Sequence, residues 1–428
     1  MERTMELEKY SIGIGDRFGF EGAAQLRALQ QAAVDGVRVV PVWNKSNREH
    51  IIIGTTPEDV QKAAGAAVRA CSWSDSYYLD ADHIGLATVD RFLQPSNFFT
   101  IDVADFIGKP TDGDAAAAFM HAMVRYRGSL AIPGLHAALE VTDELLAGFA
   151  RKYLTAIAEA GSIYRHIEMK KGAGNFIPEV SLDEAQSPQT PSELFLVLAA
   201  IAREDVPIQT IAPKFTGSFL KGIDYVGDVE QFSSDFQDNL AVIAFAVGAF
   251  NLPRNLKLSM HSGSDKFSLY PVIHRALARA DAGIHLKTAG TTWLEEVIGL
   301  AASGTAGLEL AKEIYHESFD RFDELCKPYL AVVSIDRSKL PSPQQVARWG
   351  SEEFVQSLRH DQTCARFNIH FRQLLHVGYK VAAEMGERFT GELQECRAAI
   401  EENVTYNIYE RHIRPLFLGW DKRRVRRT

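Results

Sequence analysis

Short runs in which polar and apolar residues alternate carry the clearest chemical signal in this chain. The runs Lys257-Leu258-Ser259-Met260-His261 and His285-Leu286-Lys287 place polar residues, four of them basic, at every second position. Successive side chains of a β-strand point to opposite faces, so these basic groups share one face and the apolar residues share the other. Imidazoles, amines and carboxylates on one face can bind a metal ion, move a proton or hold an anion.

The same alternation recurs in further runs that also end in acidic or basic residues. The residues predicted to share the inner, polar face are Asp80, Asp82, Thr100, Asp102, Glu179, Ser181, Asp183, Thr210, Ala212, Lys214, Lys257, Ser259, His261, His285 and Lys287. Buried charge is costly unless it is paired or bound to a ligand, so their convergence predicts a functional site. Taken singly, each has a structural explanation: Asp80 or Asp102 caps a loop, and Glu179 with Lys257 forms a buried ion pair.

One carboxylate and two imidazoles at predicted strand ends form a candidate metal site. Asp183, His261 and His285 together suit Zn²⁺, Mn²⁺ or a similar divalent ion. In alternative versions of this site, Asp82, His83 or Glu184 is an additional ligand or takes the place of one of these three residues. No HxxxH spacing supports the site locally.

Two donor-rich turns form a candidate anion site. Ser262, Ser264 and Lys266 follow one run, and Thr288 and Thr291 follow the next. Backbone N–H groups at helix N-termini bind anions, and barrel enzymes often place a phosphate at this location. A carboxylate would use the same donors. Alternatively, both turns are ordinary helix caps.

Eight strand-like runs separated by helical patterns predict the fold. The runs cover residues 10–16, 37–43, 77–83, 98–103, 176–184, 209–214, 256–261 and 283–288. Eight strand–helix units predict a closed (β/α)₈ TIM-type barrel, with an active site at the C-terminal ends of its strands. An open, doubly wound sheet is the alternative, but no GxGxxG follows any run.

The rhythm of strands and helices also predicts the domain organisation. We expect the barrel to span residues 10–303, with a helical insertion over about 106–174 after the fourth strand. Residues 304–417 are predicted to form a helical extension packed on the barrel, which is a possible oligomer interface. Residues 418–428 form a basic tail, which is more typical of a solvated end than of a site for nucleic acid or acidic lipid.

Composition narrows the class of protein. The 428-residue chain has a net charge of −9, which argues against a nucleic-acid partner. Its four cysteines form no CxxC pair, which favours a reducing compartment. We find no signal peptide, and the longest apolar stretch, residues 240–250, is too short to cross a membrane. These features predict a cytoplasmic protein.

Several long motifs resemble the tagaturonate epimerase family. They are YSIGIGDRFG at 10–19, PKFTGSF at 213–219 with KGIDY at 221–225, KLSMHSGSDK at 257–266, HLKTAGTT at 285–292, LHVGYK at 375–380, and NIY at 407–409 with RH at 411–412. The resemblance thus runs from about residue 10 to 417. It implies an isomerase of hexuronate catabolism that interconverts D-tagaturonate and D-fructuronate, with a small sugar acid as substrate.

These two sugars differ at the carbon β to the ketone, whose proton the carbonyl does not acidify. A retro-aldol step inverts this centre, and it needs a Lewis acid, a proton carrier and a carboxylate anchor. We expect the divalent ion at Asp183, His261 and His285 to be the Lewis acid. We expect Asp82 or Asp102 to move the proton. Lys214, Lys287 and the turn at Ser262, Ser264 and Lys266 are expected to hold the carboxylate.

Other chemistries remain open at this stage. A lysine Schiff base is a metal-free alternative, and transient oxidation by a nicotinamide is a weaker one. The runner-up function is a metal-dependent aldolase or isomerase acting on another ketose, sugar acid or sugar phosphate. A sugar-binding module without catalysis is the non-enzymatic alternative.

Overall fold

A closed barrel of eight parallel strands organises the chain. The computed structural model describes residues 4–262, 264–288 and 290–419. The barrel strands are β1 (Tyr10–Ile14), β2 (Val40–Ser46), β3 (Tyr78–Ile84), β4 (Phe98–Asp102), β7 (Ile177–Ser181), β8 (Thr210–Ala212), β9 (Lys257–His261) and β10 (Ile284–Lys287), and the remaining strands β5 (Gly128–Leu130) and β6 (Leu139–Val141) form a separate hairpin. β1 pairs with both β2 and β10, which closes the ring. The predicted barrel is confirmed.

Helices follow the barrel strands as the pattern predicts. They are α1 (Gly22–Val34), α2 (Asn47–Ile53), α3 (Pro57–Ala70), α4 (Gly113–Met123), α5 (Asp143–Lys171), α6 (Pro191–Arg203), α7 (Val229–Phe250), α8 (Tyr270–Ala280) and α9 (Thr291–Ala302). Local chemistry starts several of them: α6 begins at a capping box between Thr190 and Glu193, with proline at its first position. The short helix α2 was not predicted.

The segment between β4 and β7 is longer than an ordinary connection. It contains α4, the antiparallel β5–β6 hairpin and the 29-residue helix α5. The hairpin was not predicted in this segment, which the sequence pattern indicated to be helical.

The chain after α9 is helical and packs on the barrel. It comprises α10 (Thr305–Asp320), α11 (Phe322–Cys326), α12 (Pro343–Val346), α13 (Ser351–Leu358), α14 (Ile369–Val377), α15 (Tyr379–Glu384), α16 (Glu387–Glu395), α17 (Arg397–Tyr406) and a π-helical segment (Asn407–Leu418). Helix α17 lies so close to α9 that a Cβ on Gly299 would stand 2.6 Å from the Cα of Ile400. Trp293 also donates to the Leu375 carbonyl at 2.7 Å. Residues 420–428 of the basic tail lie outside the described residues.

The two faces of the barrel strands have opposite character. Leu258, Met260, Ile284 and Leu286 belong to the large apolar core between strands and helices. A small apolar cluster, which includes Leu7, Val42, Phe98 and Ile177, forms separately from this core. Among the described helices, none combines the length and apolar character needed to cross a membrane.

Candidate active site

Lys287, on β10, is the central cation of the barrel interior. Its ammonium lies 2.8 Å from Asp80 Oδ2 and 3.7 Å from Glu179 Oε1, and it donates to Asp82 and to Thr100. Burial lowers the pKa of a lysine, but here the carboxylates outweigh burial and raise the pKa of Lys287 above its ordinary value. Lys287, Asp80 and Asp82 therefore stand together on the inner face, as the alternation predicts.

His261 joins a second pair of carboxylates at the end of β9. Its Nε2 lies 2.8 Å from Glu179 Oε1 and its Nδ1 lies 3.1 Å from Asp183 Oδ2. Burial opposes the charged imidazole, but Asp183 and Glu179 prevail and raise the pKa of His261 to about 9. Ser181 donates a further hydrogen bond to Asp183. His261 thus lies between two carboxylates that favour its protonated form.

His83 enters the site through a break in strand regularity. The pairing of β3 with β4 shifts register between Ala81 and Ile84, and His83 has a left-handed φ of 52°. Simple alternation turns His83 to the outer face, but this bulge turns it inward. Its Nδ1 lies 3.0 Å from Asp102 Oδ2, and its ring centroid lies 5.2 Å from that of His261. Burial opposes its charge, yet Asp82 and its neighbours raise the pKa of His83 to about 10.

These residues supply a set of ligand atoms suited to a divalent ion. One ligand atom from each of His83, Asp183 and His261 lies within 4.8 Å of the others, and His83, Asp102 and Glu184 form a second such group. Two imidazoles and one carboxylate are a common ligand set for zinc. The structure therefore keeps Asp183 and His261 together, and His83 occupies the place that the sequence suggested for His285.

His285 lies elsewhere in the barrel, which corrects its predicted placement. On β10, His285 lies two residues before Lys287 and pairs in register with Ser259 of β9. Its Nδ1 hydrogen-bonds with Ser11 Oγ at 2.9 Å. Its ring lies 5.2 Å from that of Phe98, and burial lowers the pKa of His285 to about 3. Alternation gives the face of a residue but not its depth, so His285 was wrongly grouped with the residues at the mouth.

The predicted pair between Glu179 and Lys257 is also wrong. Lys257 donates to the backbone carbonyls of Leu7 and Glu8, which precede β1 at the other end of the barrel. Its amine therefore lies at the N-terminal end, whereas Glu179 contacts His261 and Lys287.

The residues of the predicted anion site use their polar groups within the protein. Ser262 donates to the Lys287 carbonyl at 2.7 Å, Ser264 accepts from the Gly222 amide at 2.8 Å, and Lys266 donates to the Leu220 and Ile223 carbonyls. Thr288 donates to the Gly13 carbonyl and Thr291 to Asp265. All five side chains are buried, so these turns fix loops instead of facing the barrel mouth. Gly263 and Ala289, in the same turns, lie outside the described residues.

Lys214 stands apart from the Lys287 cluster. It is half-buried, and its backbone amide donates to Gln189 at 2.7 Å. Its ammonium has no hydrogen bond or ion pair with any residue that the structure describes.

A buried ionic clamp, which sequence reasoning missed, joins the helical extension to the barrel. Arg372 of α14 lies 2.6 Å from Asp265 Oδ2, and both side chains are inaccessible to solvent. His360 and His412 lie 3.2 Å and 3.3 Å from the same carboxyl group. These partners are about 100 residues or more from Asp265, so local spacing gives no signal for them.

Comparison with known proteins identifies the family. The sequence profile of the tagaturonate epimerase family matches residues 2–416. The tagaturonate/fructuronate epimerase of Thermotoga maritima is 31% identical over 418 residues, which cover 94% of this chain and 80% of that protein.

Solved structures share the fold. A crystal structure of the fructuronate-tagaturonate epimerase from Cohnella laeviribosi superimposes with a TM-score of 0.79 at 24% identity, covering 97% of this chain and 82% of that one. Its native form gives a TM-score of 0.76, also at 24% identity, with coverage of 96% and 81%. The extent of the profile match and the identity to the Thermotoga maritima protein show that this chain belongs to the tagaturonate epimerase family.

Proposed function

We propose that this epimerase interconverts D-tagaturonate and D-fructuronate by a metal-assisted retro-aldol reaction. The family supports the pair of substrates. The observation that carries the mechanism is the grouping of His83, Asp183 and His261 beside the Lys287–Asp82 pair. This arrangement places a possible ion site next to ionised groups that can handle a hydroxyl proton.

The stereochemistry of the substrates dictates a bond-breaking route. The inverted carbon lies β to the ketone, so its proton is not acidic. Loss of the β-hydroxyl proton forms an aldehyde, and the electron pair of the Cα–Cβ bond moves into an enediolate. Rotation of the aldehyde presents its other face, the bond re-forms, and the proton returns to the oxygen. The reaction is redox-neutral, and no atom is gained or lost.

The residues at the mouth fit the required roles. A divalent ion held by His83, Asp183 and His261 would supply Lewis-acid stabilisation of the enediolate oxygens. Burial disfavours the charged form of Asp82, but Lys287 outweighs burial and lowers the pKa of Asp82 to about 2. Asp82 is therefore ionised and has a lone pair for the hydroxyl proton, but its low pKa makes it a weak base. Asp102, which contacts His83, is the alternative acceptor.

The charge state of Lys287 favours this route over a Schiff base on that residue. A Schiff base requires a neutral amine as the nucleophile. Asp80, Asp82 and Glu179 surround the Lys287 ammonium and raise its pKa. Lys287 therefore serves better as a fixed positive charge than as a nucleophile.

A direct assay tests the proposal. The purified enzyme is chelated, incubated with D-fructuronate with and without added Mn²⁺ or Zn²⁺, and the products are separated by chromatography. We expect tagaturonate to appear only with the metal. Conversion that survives chelation, with borohydride trapping of substrate on a lysine, would overturn the metal route. Release of shorter fragments would identify an aldolase instead.

We also place the enzyme in the cytoplasm. Cys71, Cys326, Cys364 and Cys396 are all free thiols, which suits a reducing compartment.

A further inference from the structure

Two cations meet at one aromatic ring of the helical extension. The guanidinium carbon of Arg48 lies 5.3 Å from the ring centroid of Tyr329, and Lys221 Nζ lies 5.8 Å from the same centroid. Arg48 stands at the start of α2 after β2, Lys221 lies in the loop after β8, and Tyr329 follows α11. Three distant segments of the chain thus converge here.

Backbone contacts hold these three segments together. The Lys221 amide donates to the Val332 carbonyl at 2.7 Å, and Arg48 donates to the Pro328 carbonyl at 3.1 Å. The hydroxyl groups of Tyr329 and Tyr379 are 2.7 Å apart. The array therefore has a fixed shape that depends on the extension.

The charge of this array is unbalanced. A neighbouring arginine, Arg17, is neutralised by Glu49 at 2.8 Å. In contrast, neither Arg48 nor Lys221 forms an ion pair with any described residue, and the Lys221 ammonium has no hydrogen-bond partner among them. Arg48 and Lys221 thus present two positive charges without a protein carboxylate to offset them.

The array lies beside the barrel mouth. Arg48 follows Ser46, the last residue of β2, and Ser46 pairs in register with Asp82 of β3. Lys221 lies in the loop after the C-terminal end of β8, and it approaches the same Tyr329 ring as Arg48. Both cations therefore stand at the end of the barrel that carries Asp82.

An anionic substrate needs such a counter-charge. Lys287, His83 and His261 at the mouth are already paired with Asp82, Asp102 and Asp183, so they are not free to bind the carboxylate of a sugar acid. We propose that Arg48 and Lys221 bind the carboxylate of the sugar acid and select uronates over neutral ketoses. This inference rests on the proposed function, and it assigns the anchoring role to Arg48 and Lys221 instead of Lys214, Lys287 and the turn after β9. Tyr329 supplies the wall against which both cations are positioned.

The test compares kinetics with direct binding. In Lys221→Met and Arg48→Met, we expect the KM for D-fructuronate to rise about 10- to 100-fold, because each variant loses a charge-assisted contact. The value of kcat should change much less. Calorimetric affinity for D-galactonate, a sugar acid used here as a non-reacting probe, should fall by a similar factor. Lys221→Arg should retain most of this affinity.

Matched controls separate this role from general effects of lost charge. Lys9 lies 5.6 Å from the Tyr10 ring at the other end of the barrel, and Arg337 lies 5.3 Å from the Phe322 ring in the extension. Lys9→Met and Arg337→Met should keep the parental KM and D-galactonate affinity. Parental values in Lys221→Met and Arg48→Met would overturn the inference. If the parent enzyme leaves D-fructuronate unchanged, the proposed function fails, and the D-galactonate measurement still decides the carboxylate site.

Discussion

Lys287 and Asp80 face each other across the barrel interior, with 2.8 Å between Nζ and Oδ2. They lie on β10 and β3, which are separated in the closed sheet by β1 and β2. Both side chains are buried, and Asp82 and Glu179 share the same ammonium. A single lysine therefore contacts carboxylates from two different strands.

Removal of this lysine should destabilise the barrel strongly. In Lys287→Met, three buried carboxylates lose their shared cation, and we expect the free energy of unfolding to fall by about 3–5 kcal/mol. Chemical denaturation measures the loss. Lys287→Met combined with Asp80→Asn should lose less than the sum of the single variants. Lys62→Met, at an exposed ion pair with Asp59, is the control and should cost about 0–1 kcal/mol. A similarly small loss in Lys287→Met would contradict this role.

The sequence predicted the barrel and the face of most site residues, because alternation follows directly from strand geometry. Asp80, Asp82 and Lys287 lie together as predicted. The same reasoning gave no depth along the barrel, so His285 and Lys257 were misplaced. It also missed the bulge that turns His83 inward, because a register shift depends on the pairing of β3 with β4 and not on local residue type.

Long-range contacts explain the other errors. The turns after β9 and β10 have the composition of an anion site, but their described serine, threonine and lysine side chains are buried and form hydrogen bonds within the protein. Arg372 and His360 approach Asp265 only after the extension has folded against the barrel. The residue types and spacing within the turn therefore cannot predict the contacts of Asp265 with Arg372 and His360.

The metal hypothesis makes separate predictions for two histidines. His83→Asn keeps a residue that tolerates a positive φ but removes an imidazole. We expect its affinity for Zn²⁺ to fall by at least about 100-fold, more than the loss of a supporting contact usually causes. His285→Gln should retain the parental affinity because His285 is outside both ligand groups. Zinc titration by calorimetry measures both, and the reverse order would return His285 to the metal site.

The clamp between Asp265 and Arg372 should be strongly coupled. Either Asp265→Asn or Arg372→Met leaves a buried partner uncompensated, so each should cost about 3–5 kcal/mol of stability. The double variant should cost much less than the sum of the two. Arg388→Met, at an exposed ion pair with Glu313, is the control and should cost about 0–1 kcal/mol. Additive losses in the double variant would argue against a direct interaction in the folded protein.

Glu21, which precedes α1, and Glu296 of α9 are two buried carboxyl groups. Both carboxylate oxygens of Glu296 and one of Glu21 have no hydrogen-bond partner among the described residues. Burial, with Asp16 and Glu401 acting in the same direction, raises the pKa of Glu21 to about 8. Burial, reinforced by Glu21 and Asp16, raises the pKa of Glu296 well above its ordinary value. The folded protein therefore keeps protons on these groups that the unfolded chain releases near pH 4.5.

These two carboxyl groups should make the protein less stable as the pH rises from about 4.5 to 8. The folded state binds more protons than the unfolded state in that window, so the free energy of unfolding falls with pH. Glu296→Gln removes one ionisable group, and we expect it to be more stable than the parent by about 1–3 kcal/mol at pH 8. The difference should shrink at pH 5, which lies close to the pKa of 4.5 in the unfolded chain. Denaturation at pH 5, 6.5 and 8 tests this, with Glu395→Gln as an exposed control on α16. Parallel stability curves for Glu296→Gln and the parent would show that Glu296 is ionised to the same extent in both states.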